Sequence, residues 1–269
     1  MLVEGRHFLP GAEPRALGHK ALAVNLSDLA AMGAAPRWVL LALALPVADE
    51  AWLAGFSQGF FALAERYGVD LIGGDTTRGP LLTISVTAAG EVPAGLALYR
   101  AGARVGDDIW ISGELGGAAL ALIHPEIPDA AQRLHQPEPR IELGDRLRGL
   151  AHAAIDVSDG LVGDLHHILT RSEVAAVLNY RDVPRAAAFR TLKNPELERD
   201  CLLSGGDDYE LLFTAAPDRR DDLEALSREL KLRLTPVGSV VGGKPKVTVL
   251  DENGRAMAFR ASFDHFSRR

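Results

Sequence analysis

Three short acidic turns could carry chemistry in this 269-residue chain. The first is Gly73-Gly74-Asp75-Thr76-Thr77-Arg78-Gly79, which follows the apolar run Val69 to Ile72. The second is Asp156-Val157-Ser158-Asp159-Gly160, and the third is Ser204-Gly205-Gly206-Asp207-Asp208. Each joins acid, hydroxyl and glycine beside a strand-like run. Such turns offer backbone N–H groups to phosphate oxygens and carboxylate oxygens to a hard cation. Three in one chain predict a shared site for a polyanion and a metal.

Carboxylates grouped without His or Cys favour magnesium over softer metals. The candidate ligands are Asp28, Asp75, Asp156 and Asp159. Two of them have plainer readings: Asp159 as a helix N-cap and Asp75 as a turn residue. The chain contains no G-x-x-x-x-G-K-[ST] loop, no protein-kinase motif set and no G-x-G-x-x-G after a strand. Any ATP site must therefore use another architecture. It also lacks H-E-x-x-H and C-x-x-C, which argues against zinc hydrolysis, and its one G-x-S-x-G, Gly55 to Gly59, falls inside a helical pattern rather than at a strand-to-helix turn. Cys201, within Cys201-Leu202-Leu203, reads as a small buried apolar residue rather than a nucleophile. His166 and His167 are adjacent, so on a helix they face different ways and do not form a metal pair.

Alternating helices and strands must position these turns. Residues 18–32 read as a helix with a broad apolar face, stopped by Gly33. Asn25, Ser27 and Asp28 interrupt that face, so they either contact water or serve a site. A buried strand is expected at 37–46, ending at Pro46. A helix follows at 49–67, with Trp52, Phe56, Phe60, Leu63 and Tyr67 as core, closed by Gly68. A strand at 69–72 leads into the first acidic turn, read as a loop. In a strand at 81–92, Leu82, Ile84, Val86 and Ala88 alternate with Thr83, Ser85 and Thr87. Residues 91–103 form a junction. Beyond it come a strand at 108–112, a helix near 117–123, an irregular proline-bearing segment at 124–139 with room for a short helix, and a helix at 140–153. The second acidic turn opens a helix whose inner face is Leu161, Leu165, Ile168 and Leu169. The third leads into a strand at 209–214. A helix at 218–231, strands near 235–241 and 245–250, and an Asn253-Gly254 hairpin turn complete the body.

Bulk composition narrows the function classes. Apolar residues make up 47% and charged residues 24%, enough for a substantial core. The formal net charge is −7, which argues against a general nucleic-acid binder. The single cysteine permits no intrachain disulfide and fits a reducing compartment. No apolar run approaches the about 18 residues that a membrane span requires. No membrane partner and a cytoplasmic location are expected.

The motifs together resemble a known family. Leu2-Val3-Glu4-Gly5-Arg6-His7-Phe8 is similar to the L-V-x-G-x-H-F segment of thiamine-monophosphate kinases. The run from Gly18 to Ala34, which contains Ser27-Asp28-Leu29-Ala30-Ala31-Met32-Gly33-Ala34, resembles the same family. So do the three acidic turns, the extension to Glu210, and Phe263-Asp264-His265-Phe266. The resemblance covers essentially the whole chain.

It implies an α/β chain with mixed sheets in two domains, the fold of aminoimidazole ribonucleotide synthetase. An N-terminal domain is expected at 1–95 and a C-terminal domain at 96–269. The implied reaction is ATP-dependent phosphorylation of thiamine monophosphate to thiamine diphosphate by direct, magnesium-assisted transfer, without a dedicated base. A homodimer built through the N-domain sheets is also implied. By this resemblance Gly74, Asp75, Arg100 and Ser158 contact ATP, and His7, Asp207 and Phe263 contact thiamine phosphate. Asp28, Asp75, Asp156 and Asp159 hold several magnesium ions.

Two departures stand out. The family often has Glu where this chain has Asp207, one methylene shorter. The family also carries several dozen residues ahead of L-V-x-G-x-H-F, including G-D-D and S-T-D metal ligands. This chain as written is therefore expected to be weakly active or inactive. The alternatives are another ATP-dependent synthetase of the same fold, or an impaired fragment.

Overall fold

The structure is a computed structural model that describes residues 1–260, so Phe263 lies outside the described residues. The chain runs β1 (Leu2–Val3), α1 (Pro14–Ala31), β2 (Ala35–Leu45), α2 (Glu50–Tyr67), β3 (Asp70–Arg78) and β4 (Thr83–Glu91). These strands form a four-stranded sheet ordered β1-β4-β2-β3. Strands β2 and β3 are parallel, joined by α2 as a crossover, and the other two pairings are antiparallel.

The second sheet uses β5 (Asp108–Ser112), β6 (Ala151–Asp156), β7 (Ala175–Asn179), β8 (Leu211–Ala215), β9 (Leu234–Val241) and β10 (Val247–Leu250). Its order is β10-β7-β9-β5-β8-β6, parallel only between β10 and β7. Between the strands lie α3 (Gly117–Ala121), α4 (Pro128–His135), α5 (Ile141–Leu147), α6 (Leu161–Ser172), α7 (Pro195–Ser204) and α8 (Arg220–Leu230). Mixed sheets of this kind fit the expected α/β class.

Helix α1 starts earlier than its apolar pattern indicated. Glu13 accepts hydrogen bonds from the amides of Arg15 at 3.0 Å and Ala16 at 2.6 Å, and Pro14 sits where a helix tolerates proline. Met32 and left-handed Gly33 end it. The helix is buried nearly all round, as an internal helix must be. Leu22 and Leu26 join the N-terminal core with Phe56 and Phe60 of α2. Ala30 and Ala31 instead enter a C-terminal cluster with Leu143, Leu147, Trp110 and Phe213. One helix thus packs into both halves of the chain.

The alternation on β4 holds: Ile84 and Val86 are buried, and Ile84 and Val86 face Leu43 and Leu41 of β2 in register. Two expectations fail. The proposed helix over 140–153 divides into α5, a turn and β6, because the segment from Ala151 pairs antiparallel with β8. The first acidic turn is not a loop. Residues 73–78 continue β3, with Gly74 opposite Leu41 and Asp75 opposite Ala42. A register shift between Val39 and Leu40 leaves Ile72 as an extra residue on β3, a bulge on an edge strand. The approach there is so close that a Cβ on Gly74 would lie 1.8 Å from the Leu41 carbonyl oxygen. The local glycine-rich composition suggested a turn, but long-range pairing with β2 made it strand.

Candidate functional site

The second and third acidic turns lie against each other. The amide of Val157 donates to the Glu210 carbonyl at 2.8 Å, and the amide of Tyr209 donates to the Val157 carbonyl at 2.8 Å. The amide of Asp207 donates to the Ser158 carbonyl at 2.9 Å. Gly206 permits this contact, since a Cβ there would meet the Ser158 carbonyl oxygen at 2.2 Å. Asp207 and Tyr209 both adopt positive φ, a strained conformation for residues with side chains. Backbone bonds on both sides of the strained turn hold it in place.

Side chains of the third turn then diverge. The Asp207 carboxylate bridges Lys20 Nζ at 3.1 Å and the Tyr209 hydroxyl at 2.9 Å. Lys20 is only 3% exposed and comes from α1, so this ion pair joins the two halves of the chain. Lys20 and Asp207 line a cleft of about 100 Å³ with His7, Phe8, Leu17, Leu134 and His135. His7 Nδ1 accepts from the Val3 amide at 3.1 Å. Burial, and then the Lys20 charge, hold the His135 imidazole below its usual pKa. This cleft brings together two of the three residues expected at thiamine phosphate.

The remaining acids of the motif face elsewhere. Glu210 is buried and accepts from Arg140 twice, at 2.5 and 2.7 Å, and from the Ser112 hydroxyl at 2.5 Å. Asp208 Oδ2 accepts from the Gly116 amide at 2.8 Å, while Oδ1 is buried with no hydrogen-bond partner among the described residues. Burial pushes the Asp208 carboxyl up to about 8. These two acids anchor the motif rather than line the cleft around Lys20.

The second turn faces the other end of α1. Ser27 Oγ donates to Asp156 Oδ2 at 2.7 Å, a buried bond between α1 and the end of β6. Burial, with the nearby Asp28 charge, pushes the Asp156 carboxyl up to about 6; the Ser27 hydroxyl and Arg100 oppose it. Asp28 is also raised by burial, against the opposing charge of Arg100. Asp28, Asp156 and Arg100 therefore form one electrostatic group. Asn25 takes no part: its amide donates back to the Ala21 carbonyl at 2.8 Å.

Asp159 does not cap α6, whose N-cap is Gly160 with no side-chain cap bond. Its carboxylate is near enough to Asp164 to act on it electrostatically. Asp75 stands apart. It lies on the exposed edge strand β3, where Oδ1 accepts from the Thr76 amide at 2.8 Å. Among the described residues no hydrogen bond or ion pair joins Asp75 or Gly74 to Asp28, Asp156, Ser158 or Asp159. Nor do the described residues hold a group of three or more His, Cys, Asp or Glu arranged for a metal ion.

Sequence reasoning overlooked Lys20, Tyr209 and Asp164. Lys20 carried a signal, a charged residue within an apolar helix. Asp164 carried only its place four residues beyond Gly160. Cys201 is buried as expected, and burial pushes its thiol up to about 12. No helix among the described residues is long and apolar enough to cross a membrane.

Comparisons with known proteins agree with this architecture. Residues 1–92 match the family described as AIR synthase related protein, N-terminal domain, and residues 104–250 match its C-terminal domain. The chain is 42% identical to the thiamine-monophosphate kinase of Escherichia coli strain K12, over 99% of this chain and 85% of that protein. The crystal structure of thiamine-monophosphate kinase from Stenotrophomonas maltophilia K279a superposes with a TM-score of 0.89 at 50% identity, covering 95% of this chain and 84% of that one. A structure described as AaThiL complexed with AMPPCP and TMP gives 0.85 at 32% identity, covering 98% and 85%. Two motif-bearing clusters at either end of one shared helix, with identity of this extent along the whole chain, place this protein in the thiamine-monophosphate kinase family.

Proposed function

We propose that this protein transfers the γ-phosphoryl group of ATP to the phosphate of thiamine monophosphate, forming thiamine diphosphate and ADP. The observation that carries the reading is the spacing on α1. Lys20 reaches the His7–Asp207 cleft, and Ser27 reaches the Asp28–Asp156–Arg100 group seven residues on. Seven residues of helix span about 10 Å, two turns of one face. A single rigid element thus carries one wall of an organic-substrate cleft and one wall of a phosphate-and-cation site.

The reading assigns His7 and Asp207 to thiamine phosphate, together with Phe263. Gly74, Asp75, Arg100 and Ser158 are assigned to ATP. Arg100 offers a planar fork to phosphate oxygens, and the Ser158 hydroxyl can donate to another. The acceptor phosphate oxygen is largely ionised at neutral pH, so no side chain needs to remove a proton. Positioning and charge stabilisation are the main demands of phosphoryl transfer.

Asp28 and Asp156 suit a hard cation, because the exposed Asp28 carboxylate lies close enough to buried Asp156 to oppose its ionisation. Asp159 and Asp75 are the further ligands in this reading. Magnesium, when bound, offsets the charge of the two phosphate groups and polarises the transferred one.

Three further inferences go with this reading. The chain divides between residues 95 and 96. It acts in the cytoplasm. It works as a homodimer, because the outer face of the N-terminal sheet exposes Trp38, Leu40 and Ile72 together.

The test is product formation by the purified 269-residue chain with ATP, thiamine monophosphate and magnesium, followed chromatographically. Any thiamine diphosphate formed should be matched by ADP, and chelation or Asp156→Asn should suppress both. ADP release that is independent of thiamine monophosphate would overturn the assignment.

A further inference from the structure

The turn between β6 and α6 already holds a carboxyl group, and that group belongs to the protein. The amides of Ser158, Asp159 and Gly160 all donate to one oxygen, Asp164 Oδ2, at 3.0, 3.0 and 3.1 Å. Asp164 is 2% exposed and lies in the first turn of α6, so its side chain reaches back over the helix start. Three consecutive amides converging on one point form a nest of the kind that elsewhere binds phosphate. Here the nest is filled, so those N–H groups cannot bind a nucleotide phosphate.

Filling the nest has a geometric consequence. With its amides tied to Asp164, the turn retains only the side chains of Ser158 and Asp159 for a ligand. The other side of the turn is fixed too, through the Asp207 amide on the Ser158 carbonyl and the paired bonds between Val157 and residues 209–210. Gly160, at φ 116°, supplies the backbone angle that lets three amides point one way. The turn is therefore ordered before any ligand arrives, and the ordering cost falls on folding rather than binding.

We propose that Asp164 is a positioning residue for the nucleotide–metal site: by occupying the 158–160 amide nest it orients Ser158 and Asp159. The proposal rests on the phosphotransfer reading above. It assigns Asp164 no contact with substrate or metal.

The test measures dissociation constants for magnesium–ATP and for thiamine monophosphate, by calorimetry, in the parent chain, Asp164→Ala and Asp164→Asn. Alanine empties the nest, and magnesium–ATP should bind at least about tenfold more weakly, the loss of roughly one charge-assisted hydrogen-bond set. Asparagine keeps an acceptor but not the charge, and the loss should be about threefold. Affinity for thiamine monophosphate should stay within about twofold in both variants, a separation that general structural damage would not give. Unchanged magnesium–ATP affinity in both variants overturns the proposal, as does an equal loss for both ligands. If the alanine variant does not fold, asparagine decides alone, and unchanged magnesium–ATP affinity is again the refuting result. A parent chain that binds no magnesium–ATP refutes the underlying phosphotransfer reading instead, and the proposal with it.

Discussion

Ser27 Oγ and Asp156 Oδ2 lie 2.7 Å apart and link the long N-terminal helix to the end of a strand in the other sheet. Both groups are buried, and the carboxylate has the Asp28 charge beside it. The hydroxyl is thus the nearest compensation for an acid that burial disfavours. A bond of this kind between a helix of one half of the chain and a strand of the other makes the site depend on how the halves dock.

Ser27→Ala removes that donor and leaves a buried carboxylate less satisfied. It should destabilise the protein by about 1–3 kcal/mol. It should also raise the Asp156 pKa further, because the Ser27 bond is one of the influences lowering it. Denaturant unfolding at pH 7.5 measures the first effect. A magnesium requirement that shifts to higher concentration at pH 6 than in the parent measures the second.

Lys20→Met tests the cleft at the other end of the helix. It removes the cation facing Asp207 while nearly preserving volume. Thiamine monophosphate should bind about five- to twentyfold more weakly, since Asp207 loses the partner that orients it. Magnesium–ATP affinity should change less than about twofold. Equal losses for both ligands would assign Lys20 to domain docking rather than to the cleft.

Asp208 predicts a pH effect on stability. Burial pushes the Asp208 carboxyl up to about 8 from its ordinary 3.8. Between those limits the folded state binds more protons than the unfolded chain. This contribution to stability is complete below about pH 4 and is lost as pH rises through about 8. Asp208→Asn removes the ionisation. The variant should gain on the parent by about 1–3 kcal/mol between pH 5 and pH 8.5, read from thermal melts across that range. A constant difference in melting temperature between the two proteins at every pH would refute this.

The outer face of the N-terminal sheet makes a prediction about assembly. Ile72 is 60% exposed on the bulge of β3, beside exposed Leu40 and Trp38 on β2. Ile72→Glu should convert a dimer to a monomer in light scattering and leave the far-UV circular dichroism unchanged. A parent chain that is already monomeric at micromolar concentration would remove the dimer from the proposed function.

Much of the architecture was legible in the order of residues. The inner face of α6 was read as Leu161, Leu165, Ile168 and Leu169, all now fully buried, because helical spacing is a local property. Alternation on β4 and the glycine stops at Gly33 and Gly68 were legible for the same reason. Strands β6 and β7 were not. Ala151-His152-Ala153-Ala154 has no strong period and became strand only by pairing with β8. The Gly73–Arg78 segment was misread for the same reason, since its partner β2 lies some thirty residues earlier.

The candidate site divides along the same line. Residue type and motif spacing determined which carboxylates and hydroxyls matter, because oxygen chemistry belongs to the side chain. They also placed Ser27 and Asp28 on an otherwise apolar helix. Only the tertiary structure decided which acids face each other. It set the second and third acidic turns back to back, sent Asp207 to Lys20, and committed Asp208 and Glu210 to structural bonds. It also left Asp75 on a separate edge strand and filled the 158–160 nest with Asp164. Such pairings depend on contacts between residues up to 187 positions apart, and no local pattern encodes a contact of that range.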